Sequence, residues 1–294
     1  MIRLLLSFYC RPIRFAIIQF WIFSYIPFDF TQYAHTKGMQ NKNVIVIGGS
    51  SGIGLALCQK LENNTVHNIS RTPCPVASVI NHTADVTKPK ELAKAFAEID
   101  CADALFYCAG VSLAAPVAEI ETSDCRKLFD TNLLGAVEAV KLAVPMLERS
   151  GAGRIVLCSS VGGTVPIAYD AVYSASKAAL DMFARAVDLE LKNTRCTSAV
   201  IGGVKTQFSF KRKIYEPSET YSSDLTTATD KLVKIEQSGY PATFVADELI
   251  KIADRTCAPV TAVGIKTKLM LWAYGILPQC VKQIVERAVF GLKK

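Results

Sequence analysis

The sequence predicts a doubly wound α/β fold: a parallel sheet of about seven strands between two layers of helices, three layers in all. Three observations predict it. Short β-branched runs alternate with helix-forming runs, a pattern that requires parallel strands joined by crossover helices. The first such run, residues 44–47, ends in a glycine-rich turn, and a helix follows at once. Half of the 294 residues are hydrophobic, enough for one large α/β domain or two small ones.

Three parts are expected: an extension at 1–38, a folded body at 39–264 and a tail at 265–294. In the extension, Arg3, Arg11 and Arg14 flank an apolar, aromatic-rich run at 15–28, FAIIQFWIFSYIPF. Its fourteen residues fall short of the ~20 that a membrane-spanning helix needs. Three readings compete: a short signal-anchor or interfacial segment, an Arg-rich organelle presequence, or a stretch upstream of a true start at Met39.

The body opens with strand 44–47, then Gly48-Gly49-Ser50-Ser51-Gly52-Ile53-Gly54, then a helix at 55–62. Glycines let backbone approach a pyrophosphate, and the helix N-terminus offers free N–H groups and a positive dipole end. Strand–turn–helix context makes this a dinucleotide cradle, although the spacing is Gly-x-x-x-Gly-x-Gly and not the commoner Gly-x-Gly-x-x-Gly. A second strand, 65–69, ends at Ser70-Arg71. In a doubly wound fold that end lies by the adenosine ribose, where an acid binds a free 2′-hydroxyl and an Arg accommodates a 2′-phosphate. No Asp or Glu lies between Glu62 and Asp85, so the sequence favours NADP(H) over NAD(H). The alternative is a surface Arg in a Pro-rich turn.

A third strand begins at 79–80, followed by Asp85-Val86. A helix at 88–99 leads to strand 104–107, which ends Cys108-Ala109-Gly110. One long helix is expected over about 123–147, with Asn132 on its first half. Strands follow at 155–157 and 197–201. The latter ends in Gly202-Gly203-Val204-Lys205-Thr206, and a further helix is expected at 243–256.

Strand 155–157 runs into Ser159 and Ser160, a Gly/Pro loop, then Tyr173 and Lys177 near the start of a helical run at 175–191. Four residues are about one helical turn, so Tyr173 and Lys177 share a face, and the loop can fold Ser160 back to it. A phenol has a pKa near ~10, and a nearby ammonium lowers it. The set suits proton transfer to or from an alcohol or carbonyl oxygen, with Ser160 holding that oxygen. The alternative is an ordinary amphipathic helix with an exposed Tyr and Lys.

Charge is uneven. The formal net charge is +7, but 1–38 carry four Arg/Lys against one Asp, and 265–294 carry six against one Glu. The body is close to neutral. Basic ends beside apolar residues point to a membrane surface before nucleic acid, with solvated tails as the alternative. The ten Cys include no Cys-x-x-Cys pair, and with three His no metal site is expected. Cys108, Cys158 and Cys196 sit in apolar runs and read as small core residues in a reducing compartment.

Taken together, these pieces resemble the short-chain dehydrogenase/reductase family of the classical type, over about residues 43–264. The Gly48/Gly52/Gly54 turn is similar to its cofactor motif, with Ser50, Ser51 and Ile53 inside it. Asp85-Val86 resembles its adenine-contacting pair, and Cys108-Ala109-Gly110 its Asn-Ala-Gly. Asn132, Ser160, Tyr173 and Lys177 match its catalytic tetrad. The resemblance implies a Rossmann-type domain and an NADP(H)-dependent oxidoreductase that interconverts a carbonyl and an alcohol. Tyr173 would be the general acid/base and Ser160 the holder of substrate oxygen. Lys177 would lower the Tyr pKa and hold the nicotinamide ribose, and Asn132 would anchor a proton-relaying water. Val204 and Thr206 would meet the nicotinamide. Three positions depart from the pattern: Ile47 for Thr, Cys108 for Asn and Gly202 for Pro. Family analogy implies a homodimer or homotetramer through the helices carrying Asn132 and Tyr173. Two further readings stay open: a non-catalytic NADP-sensing scaffold, and a nucleotide-sugar epimerase or dehydratase on the same fold.

The substrate side is expected in the long polar segment 207–240, read as a lid. Phe208, Phe210 and Tyr215 are its candidate pocket wall, with packing of the loop as the alternative. The tail has an apolar run at 269–277, broken by Gly275 and closed by Pro278, then Val281, Ile284, Val285, Ala288 and Val289 at helical spacing. With Trp272 and cationic flanks it suits a membrane interface or a cover over a lipophilic pocket; packing on the domain or across a dimer is the alternative. A steroid, retinoid or acyl-lipid ketone is the expected kind of substrate. The expected location is the cytoplasmic side, at or off a membrane, with organelle targeting open.

Overall fold

The structure, a computed structural model, describes residues 39–292; the 1–38 extension, Lys293 and Lys294 lie outside the described residues. Strand β1 (Asn43–Ile47) sits inside the sheet, and Val44, Ile45, Val46 and Ile47 are all fully buried. Alternate side chains enter two cores: Ile45 and Ile47 one, Val44 and Val46 the other. A strand buried on both faces reads as a continuous apolar run and not as an alternation.

Helix α1 (Gly52–Lys60) follows β1, and β2 (Thr65–Ser70) and β3 (Ile80–Thr83) pair outward from it. Helix α2 (Pro89–Ala97) returns the chain to β4 (Ala104–Tyr107), which pairs with the other side of β1. After the short β5 (Leu113–Ala114), helices α3 (Thr122–Phe129) and α4 (Gly135–Arg149) lead to β6 (Gly153–Ser160). Helix α5 (Ala171–Glu190) leads to β7 (Thr194–Ile201). The remaining elements are β8 (Val204–Lys205), β9 (Lys213–Ile214), α6 (Glu219–Gln237), β10 (Tyr240–Pro241), α7 (Ala242–Asp254) and β11 (Val260–Ala262). Two helices, α8 (Ile265–Ile276) and α9 (Gln279–Phe290), close the described chain.

The seven-stranded sheet has the order β11-β7-β6-β4-β1-β2-β3, and each neighbouring pair is parallel. This is the doubly wound, Rossmann-type α/β arrangement expected. Strand order reverses between β1 and β4, so the carboxyl ends of those two strands flank the crevice where ligands bind in such sheets.

Three local expectations change. The helix expected over 123–147 is broken by one π-helical segment, Asp130–Leu134. Residues 207–240 are not one polar loop, because α6 occupies most of them. Its Leu225, Ala228 and Leu232 are buried, and buried Thr229 donates its hydroxyl to Leu225 O at 2.7 Å. A helix rich in Ser and Thr hides its apolar stripe from a reading by polarity. Gly275 does not break the tail, since α8 runs through it to Ile276. Gly202 has a local reason: a Cβ there would lie 2.9 Å from Thr267 Oγ1, so glycine lets α8 start against the end of β7.

Candidate active site

The turn after β1 is built for close backbone approach. Gly48 has φ +87°, and a Cβ on it would lie 2.9 Å from Ala109 N. A Cβ on Gly54 would lie 2.2 Å from Gly48 O, so α1 meets the turn only as glycine. Gly49 N donates to the buried Asn68 Oδ1 at 2.8 Å, pinning the turn to β2. Beside it lies a cavity of about 830 Å³. Gly48, Ser50, Ser51, Gly52 and Ile53 line one end, with Arg71, Asp85 and Val86 behind them and Ala109 and Gly110 opposite. Backbone cradle, free helix N-terminus and volume fit a dinucleotide.

Asp85 is held by its own turn. Burial works against its charge, but Thr87 donates its amide at 2.9 Å and its hydroxyl at 2.8 Å to Oδ1, and Arg71 and Lys88 lie near. The net result is a carboxyl below its ordinary range. Arg71 is exposed at the cavity edge, beyond the end of β2.

At the far end stand Ser160, Tyr173 and Lys177, all lining the same cavity. Ser160 ends β6 and accepts from Gly162 N at 3.1 Å. A Cβ on Gly162 would be 3.4 Å from both Ser160 Oγ and Tyr173 Cε1, so the loop brings β6 back onto α5. Lys177 Nζ lies 5.6 Å from the Tyr173 ring centroid and donates to Cys158 O at 2.8 Å. Burial is the largest influence on both residues: it lowers the Lys177 pKa and raises that of the Tyr173 phenol. The Ser160 hydroxyl and Arg212 pull the phenol down, while Asp170 and Glu236 push it up. The acidified phenol expected from Lys177 is therefore outweighed by desolvation here.

Asn132 sits in the π segment, fully buried. Its Oδ1 accepts from Val111 N at 2.8 Å, and its Nδ2 donates to Val111 O at 2.9 Å and Ser176 Oγ at 3.0 Å. A Cβ on Gly110 would lie 3.5 Å from Asn132 Oδ1 and 3.7 Å from Lys177 Nζ, which puts both groups around one glycine. The helix widens to π where Asn132 must turn inward, a common device at functional sites. Cys108, in place of the expected Asn, sits with its Sγ 3.5 Å from Cys158 Sγ.

Val204, Thr206 and Phe208 line the cavity, and the Phe208 ring lies 6.1 Å from that of Tyr173. Phe210 does not form a wall: it is 64% exposed. Tyr215 packs against Leu113 and Leu128 and donates its hydroxyl to Asp124 Oδ2 at 2.6 Å, which fastens the chain after β9 to α3. Sequence reasoning missed Ser112, Gln207 and Glu236, which also line the cavity. They carry no motif; only the tertiary fold brings them to one cavity.

Residues 42–214 match the family model described as short chain dehydrogenase. This chain belongs to the short-chain dehydrogenase/reductase family. Such enzymes are oxidoreductases acting on CH–OH and C=O groups with a nicotinamide dinucleotide. Among curated members, the chain is 29% identical over 251 residues to the NADPH-dependent 1-acyldihydroxyacetone phosphate reductase of Saccharomyces cerevisiae, covering 76% of this chain and 82% of that protein. It is 27% identical over 239 residues to the 3-ketodihydrosphingosine reductase of Bacteroides thetaiotaomicron, covering 77% and 89%. A short-chain dehydrogenase from Streptomyces avermitilis superposes with TM-score 0.72 at 20% identity, over 84% of this chain and 96% of that one, a likeness of fold.

Proposed function

We propose that this family member is an NADP(H)-dependent enzyme that reduces a lipophilic ketone or aldehyde, or oxidises the matching alcohol, with Tyr173 as general acid/base. The observation that carries it is one cavity with a glycine cradle and Arg71 at one end and Ser160, Tyr173 and Lys177 at the other. When bound, the nicotinamide supplies or accepts the hydride. Ser160 donates a hydrogen bond to the carbonyl oxygen, and Tyr173 gives that oxygen a proton. A phenol whose pKa burial has raised stays protonated at neutral pH, the state that reduction needs. Lys177, buried and bonded to the β6 backbone, holds its ammonium beside the phenol, and Asn132 fixes the path along which Lys177 exchanges protons. Arg71 receives the 2′-phosphate.

The lipophilic substrate rests on two supports. Phe208 and the Leu113, Leu128 and Ile167 cluster give Tyr173 apolar surroundings. Both curated relatives quoted above are named as reductases of keto compounds, one of them acylated and NADPH-dependent. The same reading seats α8 and α9 at a lipid surface, through exposed Leu269, Met270, Trp272, Ile276 and Ile284 beside Lys266, Lys268 and Arg287.

The test is NADPH oxidation against a panel of long-chain ketones and aldehydes, with Tyr173→Phe alongside. Turnover should fall by about 10²- to 10⁴-fold while NADPH binding persists. Equal turnover by both proteins would remove Tyr173 from the mechanism.

A further inference from the structure

Four polar side chains from four segments meet beneath the lid, outside the motifs that define the family. Ser112 follows β4, Asp170 immediately precedes α5, Arg212 precedes β9, and Glu236 lies in the last turn of α6. Ser112 Oγ donates to Asp170 Oδ2 at 2.7 Å and accepts from Arg212 Nε at 2.8 Å. Arg212 Nη2 donates to Glu236 Oε1 at 2.6 Å, and Arg212 Nε lies 3.5 Å from Asp170 Oδ2. Leu113 N adds a long contact to Asp170 Oδ1 at 3.4 Å. The Arg212 and Asp170 side chains are each 1% exposed.

This cluster is a poor stabiliser. One guanidinium faces two carboxylates, and Arg212 Nη1 and Glu236 Oε2 are buried with no hydrogen-bond partner among the described residues. Incompletely satisfied buried charges often contribute less than an apolar packing of the same volume. The neighbouring backbone is also held off its preferred conformation: Tyr169 has φ +62°, kept there while its carbonyl accepts from Ala115 N at 2.8 Å. What the cluster does have is position. Asp170 stands three residues before Tyr173 at the head of the same helix, and Arg212 and Glu236 lie towards opposite ends of segment 207–240.

We propose that Arg212 is a positioning residue for Tyr173: sealed under the lid, it neutralises Asp170 and Glu236 and ties the lid to the helix that carries the phenol. The proposal rests on the reading of Tyr173 as the general acid/base. The groups whose hydrogen bond or charge acts on Tyr173 are then Ser160 from β6, Asp170 at the head of α5, Glu236 from α6 and Arg212 before β9, with Lys177 Nζ 5.6 Å from the ring along α5. Removing Arg212 leaves two buried carboxylates acting on the phenol without their counter-charge.

The experiment uses the full chain and the pH profile of kcat/KM for ketone reduction. Loss of one nearby charge in a partly polar interior moves a pKa by about one unit. In Arg212→Gln the alkaline limb should move up by about one pH unit, with NADPH affinity unchanged. Arg212→Lys, which keeps the charge and loses the fork, should hold the limb near its original pH while lowering kcat. Asp170→Asn should move the limb down, and combining it with Arg212→Gln should bring the limb most of the way back. An unmoved limb in folded Arg212→Gln overturns the proposal. If Arg212→Gln does not fold, an unmoved limb in Asp170→Asn overturns it instead. Should the wild type turn over no ketone, the reductase reading fails on its own. The Tyr173 phenol is then titrated by ¹³C NMR of labelled tyrosine, with Tyr173→Phe for assignment, and the same shifts are required.

Discussion

Under the proposed function, the choice between two cofactors falls to one side chain, Arg71. It is exposed at the cavity rim, and its charge acts on Asp85 in the same lining. A guanidinium there meets a 2′-phosphate with paired hydrogen bonds, whereas a carboxylate would repel it and bind the 2′-hydroxyl. Arg71→Glu should therefore cut the ratio of kcat/KM for NADPH over NADH by at least about tenfold, since one charge-assisted contact is worth roughly 1.5–3 kcal/mol. Steady-state rates with both cofactors read this directly; an unchanged ratio would return Arg71 to the status of a surface turn. Gly48 and Gly54 work at the same scale by exclusion: neither tolerates a Cβ without displacing backbone.

Among the elements, segment 207–240 is where charge and fold meet. Its two ends are fastened differently. Lys213–Ile214 pairs in parallel with Leu113–Ala114, while Gln237 donates to Thr206 O at 3.0 Å and Ser209 Oγ at 3.2 Å. Between them Asp170 is buried, and desolvation, the largest influence, pushes its carboxyl up to about 6 despite Arg212 and Ser112. A carboxyl raised in the folded state binds its proton more tightly than in the unfolded chain. Its contribution to stability is therefore full below the unfolded value near ~4 and is lost as pH rises through about 6. The loss is of order 3 kcal/mol. Thermal unfolding of the wild type should carry this fall in Tm between pH 4 and 7, and Asp170→Asn should flatten that part of the curve. A profile of the same shape in both proteins would mean that Asp170 does not titrate in that window.

At the scale of the whole molecule, the two ends of the chain differ from its middle. Helices α8 and α9 leave Leu269, Met270, Trp272, Ile276, Ile284, Val285 and Val289 exposed, with Lys266, Lys268, Lys282 and Arg287 on the same two helices. Phe290 anchors the pair against Ala228 and Leu232 of α6 and packs near Ile167, Ala168 and Tyr169, the loop before Tyr173. Among the described residues no helix is long and apolar enough to cross a membrane. An exposed apolar face with cationic flanks fits an interfacial seat, strongest on anionic lipid and weakened by salt. The full chain should sediment with anionic phospholipid vesicles, and Trp272→Glu with Ile284→Glu should weaken that binding by about tenfold without altering reduction of a short water-soluble ketone. Undiminished vesicle binding in this double variant would move the contact elsewhere on the chain.

Much of this protein was legible in one dimension because its signals are local. The parallel sheet follows from alternating β and α runs, the cradle from glycines whose φ and lack of a Cβ are properties of the residue itself, and Tyr173 and Lys177 share a face because a helix repeats about every four residues. Six of the seven sheet strands, the glycine turn and the meeting of Ser160, Tyr173 and Lys177 in one cavity needed no more than that. Tertiary structure decided what depends on distant segments. It opened the helix at Asn132 so that the amide could bridge Val111 and Ser176, folded a Ser/Thr-rich lid into α6, and turned Phe210 out to solvent. It also placed Arg212 against Asp170 and Glu236, a contact between residues 42 and 24 positions apart in sequence that no spacing rule reaches. The physical reason is common to all of these: local conformation is set by each residue and its neighbours within a turn, whereas burial and its electrostatics are set by whichever segments the packed core brings alongside.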